Sequence, residues 1–194
     1  MSSTSANNLR QALIGTADDR DLALVALTEA DLPLLRRWFA ETHVASVWSP
    51  PDEGTDEIAS HLSREHIAPY MIVEAGRPVG YLQLYHANPD EFWIAHDLPR
   101  DTYGLDLFIG PTDALGRGLG VRAILLAVRH LAALPGCARL HIDPAPDNGR
   151  AIHVYEKAGF RKVGEIETPD GRSIYMILDP KDVILDRAKT REIR

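Results

Sequence analysis

Three stretches of the chain carry residues whose types and spacing suit chemistry. The first is Leu115-Gly-Arg-Gly-Leu-Gly120. Glycines there let backbone approach a ligand closely. A helix starting in the turn aims its first N–H groups and the positive end of its dipole at an anion. Arg117 adds a charge-assisted donor. This is the chemistry of a phosphate or pyrophosphate site. The second is Asp106 in Tyr103-Gly-Leu-Asp-Leu-Phe-Ile109. Asp is disfavoured in an apolar strand, and a broken local rule marks a candidate functional group. With period two, Leu105, Leu107 and Ile109 face one way, and Asp106 and Phe108 the other. The third is the stretch His86 to Asp106, where Asp90, Glu91, Asp97, Asp101 and Asp106 stand against Arg100, a net of −4. Phe92, Trp93 and Tyr103 are interleaved with them. Carboxylates beside rings suit a cationic, partly flat ligand.

These residues need elements to hold them. Strands are predicted at Asp21–Leu27, Tyr70–Glu74, Pro78–Tyr85, Tyr103–Ile109, Arg139–Ile142, Phe160–Ile166 and Ser173–Leu178. Helices are predicted at Ala30–Phe39 behind a Thr28 cap, Thr55–Ile67, Leu119–Leu134 and Asn148–Ala158, with Gly159 as a left-handed cap. Trp48 to Gly54 and His86 to Thr102 read as loops. The order is that of an α/β fold, with a mixed sheet and helices on its faces.

Bulk properties bound the class. The chain has 194 residues, a net charge of −7, 45% hydrophobic residues and 25% charged residues. These are the proportions of one globular domain, not of a disordered chain, a fibrous repeat or a coiled coil. The acidic balance disfavours a nucleic-acid partner. One cysteine, Cys137, excludes a disulfide framework and disfavours a cysteine zinc site. His61 and His66 lie five apart, the wrong spacing for a metal pair on a helix, so no metal is expected. No apolar run is long enough for a membrane span, so no membrane partner is expected and the cytoplasm is the simplest compartment. Met1–Arg20 reads as a flexible leader, 21–180 as the domain and 181–194 as a tail. The oligomeric state is left open, with a monomer the simplest expectation.

Gly118-x-Gly120-x-x-Ala123 nominally fits a dinucleotide fingerprint, with Asp143 about 20 residues on. A stretch from Gly110-Pro111 separates these glycines from the preceding strand, and too few βαβ units follow, so that reading is set aside. No Gly-x-Ser-x-Gly elbow anchors a hydrolase triad.

The glycine turn, together with Asn148-Gly-Arg-Ala-Ile-His-Val-Tyr-Glu-Lys-Ala-Gly-Phe160, resembles the GNAT superfamily of N-acetyltransferases. One slot departs: Leu115 stands where the family carries Gln or Arg. The resemblance covers about Asp21 to Leu178. It implies a mostly antiparallel sheet splayed at an acetyl-CoA site, with helices on both faces. The implied coenzyme contacts are Phe108, Ile109, Gly116, Arg117, Gly118, Leu119, Gly120, Val121, Asn148, Ala151 and Tyr155. Tyr155 would protonate the leaving thiolate, and an N–H near Phe108 to Gly110 would meet the oxyanion.

His43 to Trp48, Pro69-Tyr70, Gly80-Tyr81-x-Gln83, Asp90-x-x-Trp93, Gly104-x-Asp106, Asp143-Pro-x-Pro-x-Asn148 and Thr168 to Gly171 resemble the aminoglycoside 6'-N-acetyltransferases. On that resemblance Asp106 is the base, and Trp48, Asp90, Trp93, Asp106, Asp143 and Asp170 contact a cationic amine. A neighbouring group acylates hydroxylysine-type amines in siderophore synthesis and is expected to carry His in place of Asp106. A non-catalytic acyl-CoA-binding module is a third possibility.

Overall fold

The computed structural model describes residues 9–11, 13–16, 19–96, 98–169 and 171–183. The described chain divides into two compact units. One runs to Tyr85 and adds Asp106–Leu126; the other comprises His86–Leu105 and the chain from Ala127.

The first unit holds β1 (Leu13–Thr16), β2 (Asp19–Ala26), α1 (Leu32–Phe39), α2 (Thr42–Ala45), α3 (Pro51–His61), β3 (Ile67–Glu74) and β4 (Arg77–His86, whose last residue falls in the second unit). Its strands follow the order β1-β2-β3-β4-β5, and pairs among the first four are antiparallel. Strand β5 (Thr102–Ile109) divides, with Asp106–Ile109 in this unit. Thr28 opens the first helical segment by a capping box: its N–H donates to Asp31 Oδ2 at 2.9 Å. Pro51 at the first position starts α3 before the expected Thr55. The helix also ends at His61, short of the expected Ile67, because Ile67 is committed to pairing with Tyr85 in the hairpin. Ala75 (φ 47°) and Gly76 (φ 81°) turn the β3–β4 hairpin.

The core of this unit packs Leu35, Trp38, Phe39, Ile58, Met71, Tyr81 and Phe108 together. Two glycines admit close approaches. A Cβ at Gly80 would run into the Phe108 carbonyl oxygen, and one at Gly110 into the Trp38 indole.

The expected leader contributes structure. Leu13–Thr16 pairs with β2, and Leu9 and Ile14 are buried. Arg10 donates to the carbonyls of His61, Arg64 and Ile67 at 2.6–2.8 Å, tying this segment to the end of α3. The flexible-leader expectation is corrected for these residues. Met1–Asn8 and the tail from Ile184 lie outside the described residues.

The second unit holds the first half of β5, β6 (Arg139–Ile142), β7 (Arg161–Thr168) and β8 (Gly171–Leu178), in the order β5-β6-β8-β7. Strands β5 and β6 are parallel; β6–β8 and β7–β8 are antiparallel. Its helices include α4 (Glu91–Ile94) and α6 (Gly149–Lys157); α5 (Leu119–Ala132) is shared. Gly159 takes φ 100° after α6, the left-handed cap that the sequence predicts. The result is a mixed, mostly antiparallel α/β fold.

Gly80→Ala should destabilise by about 1–3 kcal/mol, since its new methyl meets fixed backbone. Gly149→Ala, where an added Cβ meets nothing within 4 Å, should stay within about 0.5 kcal/mol. Urea unfolding of both variants checks this; equal losses would refute the packing account.

Candidate active site

In the first unit, β4 and β5 present a polar group beside an aromatic wall. Residues two apart share a strand face, so Tyr81 and Gln83 align on β4, and Asp106 and Phe108 on β5. The Gln83 Nε2 group donates to Asp106 Oδ2 at 2.8 Å. Its Oε1 accepts from the Tyr81 hydroxyl, also at 2.8 Å. The Trp48 ring lies 5.1 Å from Phe108 and 6.1 Å from Tyr81, edge-on to both. Asp106 is half-buried, neither solvated nor sealed. Tyr81 is fully buried, and that burial, with the Asp106 and Glu57 charges, holds its phenol well above the ordinary value.

The same unit carries the glycine turn. Gly116 and Gly118 adopt φ of 74° and 76°, a region that other residues enter only with strain. A Cβ at either would meet nothing within 4 Å, so the turn borders open space. The 14-residue α5 begins at Leu119. Glu74 spans two arginines at this turn: Arg117 donates to Oε2 at 2.9 Å and Arg122 to Oε1 at 3.4 Å. Arg77 clamps Asp113, just upstream, through two bonds of 2.8 and 2.9 Å. The β3–β4 hairpin thus braces the turn from two sides. Open space, a helix start and paired guanidinium groups fit the phosphates of a coenzyme.

The end of β5 is less open than expected. The Gly110 N–H donates to the Val79 carbonyl at 3.1 Å, which removes it from the donors expected at Phe108 to Gly110. His43 Nε2 sits 2.8 Å from the Ile109 carbonyl oxygen.

The second unit holds the other predicted residues. Asp90 Oδ1 accepts from the N–H groups of Phe92 and Trp93, at 2.9 and 3.4 Å, and so starts α4 as its cap. Trp93 is buried, its ring 4.4 Å from His141 and 6.0 Å from Tyr175. Asn88 closes the neck of the loop: its Nδ2 donates to Pro99 O at 3.0 Å, and its Oδ1 accepts from Thr102 N–H at 3.0 Å. Asp101 Oδ1 lies 3.7 Å from His86 Nε2, and the His86 ring stacks on Tyr103 at 4.9 Å. Asn148 caps α6 by accepting from the Ala151 N–H at 3.1 Å. Tyr155, one turn after Ala151, is buried with its ring edge-on to Phe160 at 5.9 Å.

A family model described as an acetyltransferase (GNAT) domain matches residues 27–168. The chain belongs to this family. It is 32% identical over 172 residues to the aminoglycoside N(6')-acetyltransferase type 1 of Klebsiella pneumoniae, covering 84% of this chain and 86% of that one. It is 27% identical over 165 residues to the lysine N-acyltransferase MbtK of Mycolicibacterium paratuberculosis, covering 83% and 75% respectively. Among solved structures, the aminoglycoside acetyltransferase AAC(6')-Ib in complex with coenzyme A and kanamycin superposes with a TM-score of 0.79 at 32% identity, over 86% of this chain and 99% of that one. The chain is an acetyl-CoA-dependent N-acetyltransferase of the GNAT kind.

Within this acetyltransferase the predicted site residues divide. Trp48, Asp106, Phe108, Ile109, Gly116, Arg117, Gly118, Leu119, Gly120 and Val121 belong to the first unit. Asp90, Trp93, Asp143, Asn148, Ala151 and Tyr155 belong to the second. Asp170 and Asp97 lie outside the described residues. The acidic stretch read as one feature is therefore several. Asp90 caps a helix, Asp101 pairs with His86, and Asp106 meets Gln83.

Sequence reading gave no individual role to Gln83, Tyr81 or Glu74. A Gln and a Tyr two apart on an apolar strand were the available signal for the first pair. Nothing local marks Glu74, whose partners are 43 and 48 positions away.

Two buried histidines make the fold acid-sensitive. Burial, with nearby Arg139, lowers His141 to about 3; burial, with Arg64, lowers His61 to about 4. Both rings are neutral in the folded state, while the unfolded chain protonates them near 6.5. The unfolded state binds more protons between those values, so stability falls as pH drops from about 6.5 toward 3 to 4. Each ring contributes a slope of up to about 1.4 kcal/mol per pH unit. His141→Gln should flatten the dependence of the urea midpoint over pH 4–6, and an unchanged slope would contradict this assignment.

Proposed function

We propose that this enzyme transfers acetyl from acetyl-CoA to the 6'-amino group of an aminoglycoside, by direct attack in a ternary complex. One observation carries the reading: a half-buried carboxylate, Asp106, held beside the aromatic wall of Trp48, Phe108 and Tyr81. A carboxylate next to ring faces suits a cationic amine, which rings attract and a carboxylate neutralises. The similarity to an aminoglycoside N(6')-acetyltransferase, and to a structure solved with kanamycin, supports the same substrate class.

The roles follow from chemistry. An alkyl ammonium has a pKa near 10 by analogy with Lys, so it must lose a proton to attack. Asp106 accepts that proton, directly or through water. When bound, acetyl-CoA supplies the thioester acetyl group. Backbone N–H groups of Gly116, Gly118, Leu119, Gly120 and Val121, with the Arg117 guanidinium, would hold its phosphates, and Phe108 and Ile109 would line its acyl end. Asn148 and Ala151 would contact it from the start of α6. Tyr155 would return a proton to the thiolate. Trp48, Asp90, Trp93, Asp143 and Asp170 would contact the acceptor.

A second reading has a hydroxylysine-type amine as acceptor, favoured by the similarity to a lysine N-acyltransferase. Asp106 weighs against it, since that group is expected to carry His at this position. Acetyl-CoA consumption with kanamycin, tobramycin and a hydroxylysine panel separates the two. Turnover with the drugs is expected; a rate at background with every drug and a clear rate with hydroxylysine-type amines would reverse the assignment. Asp106→Asn should lower kcat by about 10²- to 10⁴-fold while calorimetric coenzyme affinity stays unchanged. An unchanged kcat would remove Asp106 from the mechanism.

A further inference from the structure

Asp106 sits at the end of a directed hydrogen-bond chain. The Tyr81 hydroxyl donates to Gln83 Oε1, and Gln83 Nε2 donates to Asp106 Oδ2, both at 2.8 Å. Tyr81 is completely buried among Trp48, Phe108 and their neighbours, so its hydroxyl cannot turn to water. Its phenol is held well above the ordinary value by burial first and then by the Asp106 and Glu57 charges. It therefore stays a donor at any assay pH.

The ionised carboxylate takes the NH₂ end of the amide, and the Tyr81 hydroxyl, which rotates to donate, takes the Oε1 end. With the hydroxyl on Oε1, the NH₂ end faces Asp106. A reversed amide would set a carbonyl oxygen against a carboxylate oxygen, which is repulsive unless Asp106 is protonated. The chain is thus matched to ionised Asp106 and mismatched to its neutral form. A donor aimed at a charged carboxylate favours the charged state and fixes the plane of the group.

We propose that Gln83, oriented by Tyr81, is a positioning residue that keeps Asp106 ionised and aimed as the proton acceptor for the amine. This rests on the reading of Asp106 as the base. Gln83 touches neither the reacting atoms nor the coenzyme in this role; it acts through Asp106. From α3, His61 and Glu57 face the same network. His61 faces the Gln83 amide, and burial keeps the ring neutral above about 4. Glu57 lies 4.0 Å from His61 and is mostly exposed. With His61 neutral and Tyr81 protonated, Asp106 is the group of this hydrogen-bond chain whose protonation the acid limb of the pH–rate profile would read.

The test is the acid limb of kcat/KM for acetyl transfer to kanamycin, measured for the wild type, Gln83→Leu, Gln83→Glu, Tyr81→Phe and Asp106→Asn. Gln83→Leu removes the donor and should move the limb up by about one pH unit. Gln83→Glu adds a like charge and should move it further. Tyr81→Phe frees the amide and should move it upward by less. Coenzyme affinity should be unchanged in all. A limb that stays in place in both Gln83 variants, even at lowered kcat, makes Gln83 a purely structural strand contact and overturns the proposal. If both Gln83 variants fail to fold, Tyr81→Phe decides alone, since it removes a single oxygen; no upward shift overturns the proposal. Asp106→Asn separates the two levels. Its retaining wild-type kcat and acid limb would sink the base reading itself. Its losing both, with the Gln83 limb unmoved, would sink only the positioning role.

Discussion

A carboxylate on a strand whose neighbours are buried is tolerable only if its oxygens find donors. Burying a charge without partners costs several kcal/mol, and leaving it in water would pull the strand out of the core. Asp106 resolves this conflict by sharing a face with Phe108 while meeting an amide on the adjacent strand. Much of the first unit serves that arrangement. Gly80 lets the strand bearing Tyr81 and Gln83 come close to the Phe108 carbonyl. Trp38, Phe39, Trp48 and Tyr81 surround the Phe108 ring at 5.1–6.3 Å. The apolar packing excludes water, and in that drier setting one well-aimed amide is worth more than it would be at a surface.

The coenzyme turn obeys a different constraint. Its glycines hold left-handed conformations next to open space, so the loop has few packing contacts of its own. Ionic braces replace packing. Glu74 gathers Arg117 and Arg122, and Arg77 fastens Asp113 with a two-point fork. The Arg77–Asp113 pair is exposed, and such pairs are individually worth about 0–1 kcal/mol; Glu74 is more buried. The value of these braces lies in restricting where the guanidinium groups wait, which lowers the ordering cost when a phosphate arrives.

Much of this was legible in the sequence because it is local. The strand at Arg139–Ile142 was read to the residue, and the long helix starts at the predicted Leu119. Gly159 and Gly76 occupy the left-handed conformations that glycine foretells, whereas Ala75 at φ 47° enters that region against its residue type. The glycine turn and the Asn148–Phe160 segment identified the family. Two expectations fail for different reasons. Helix α3 was placed late because Pro51 can open a helix as readily as end a loop. Ile14 falls in the expected leader because no local pattern marks a short strand that is stable only against β2.

The sequence by itself determined the family, the order of the longer elements and the identity of a carboxylate that breaks its strand's pattern. Those depend on residue type and on spacings within one element. Tertiary structure alone decided what each acidic residue does. Asp90, Asp101 and Asp106 looked like one negative patch in a linear count; folding turns them into a helix cap, a histidine partner and an amide-held base candidate. It also alone revealed Tyr81 and Gln83 as the donors behind Asp106, and Glu74 as the brace of the turn. The physical reason is range. Propensity and periodicity act over a few residues, whereas a hydrogen bond or ion pair is set by separations of a few ångströms between residues 23 to 48 positions apart.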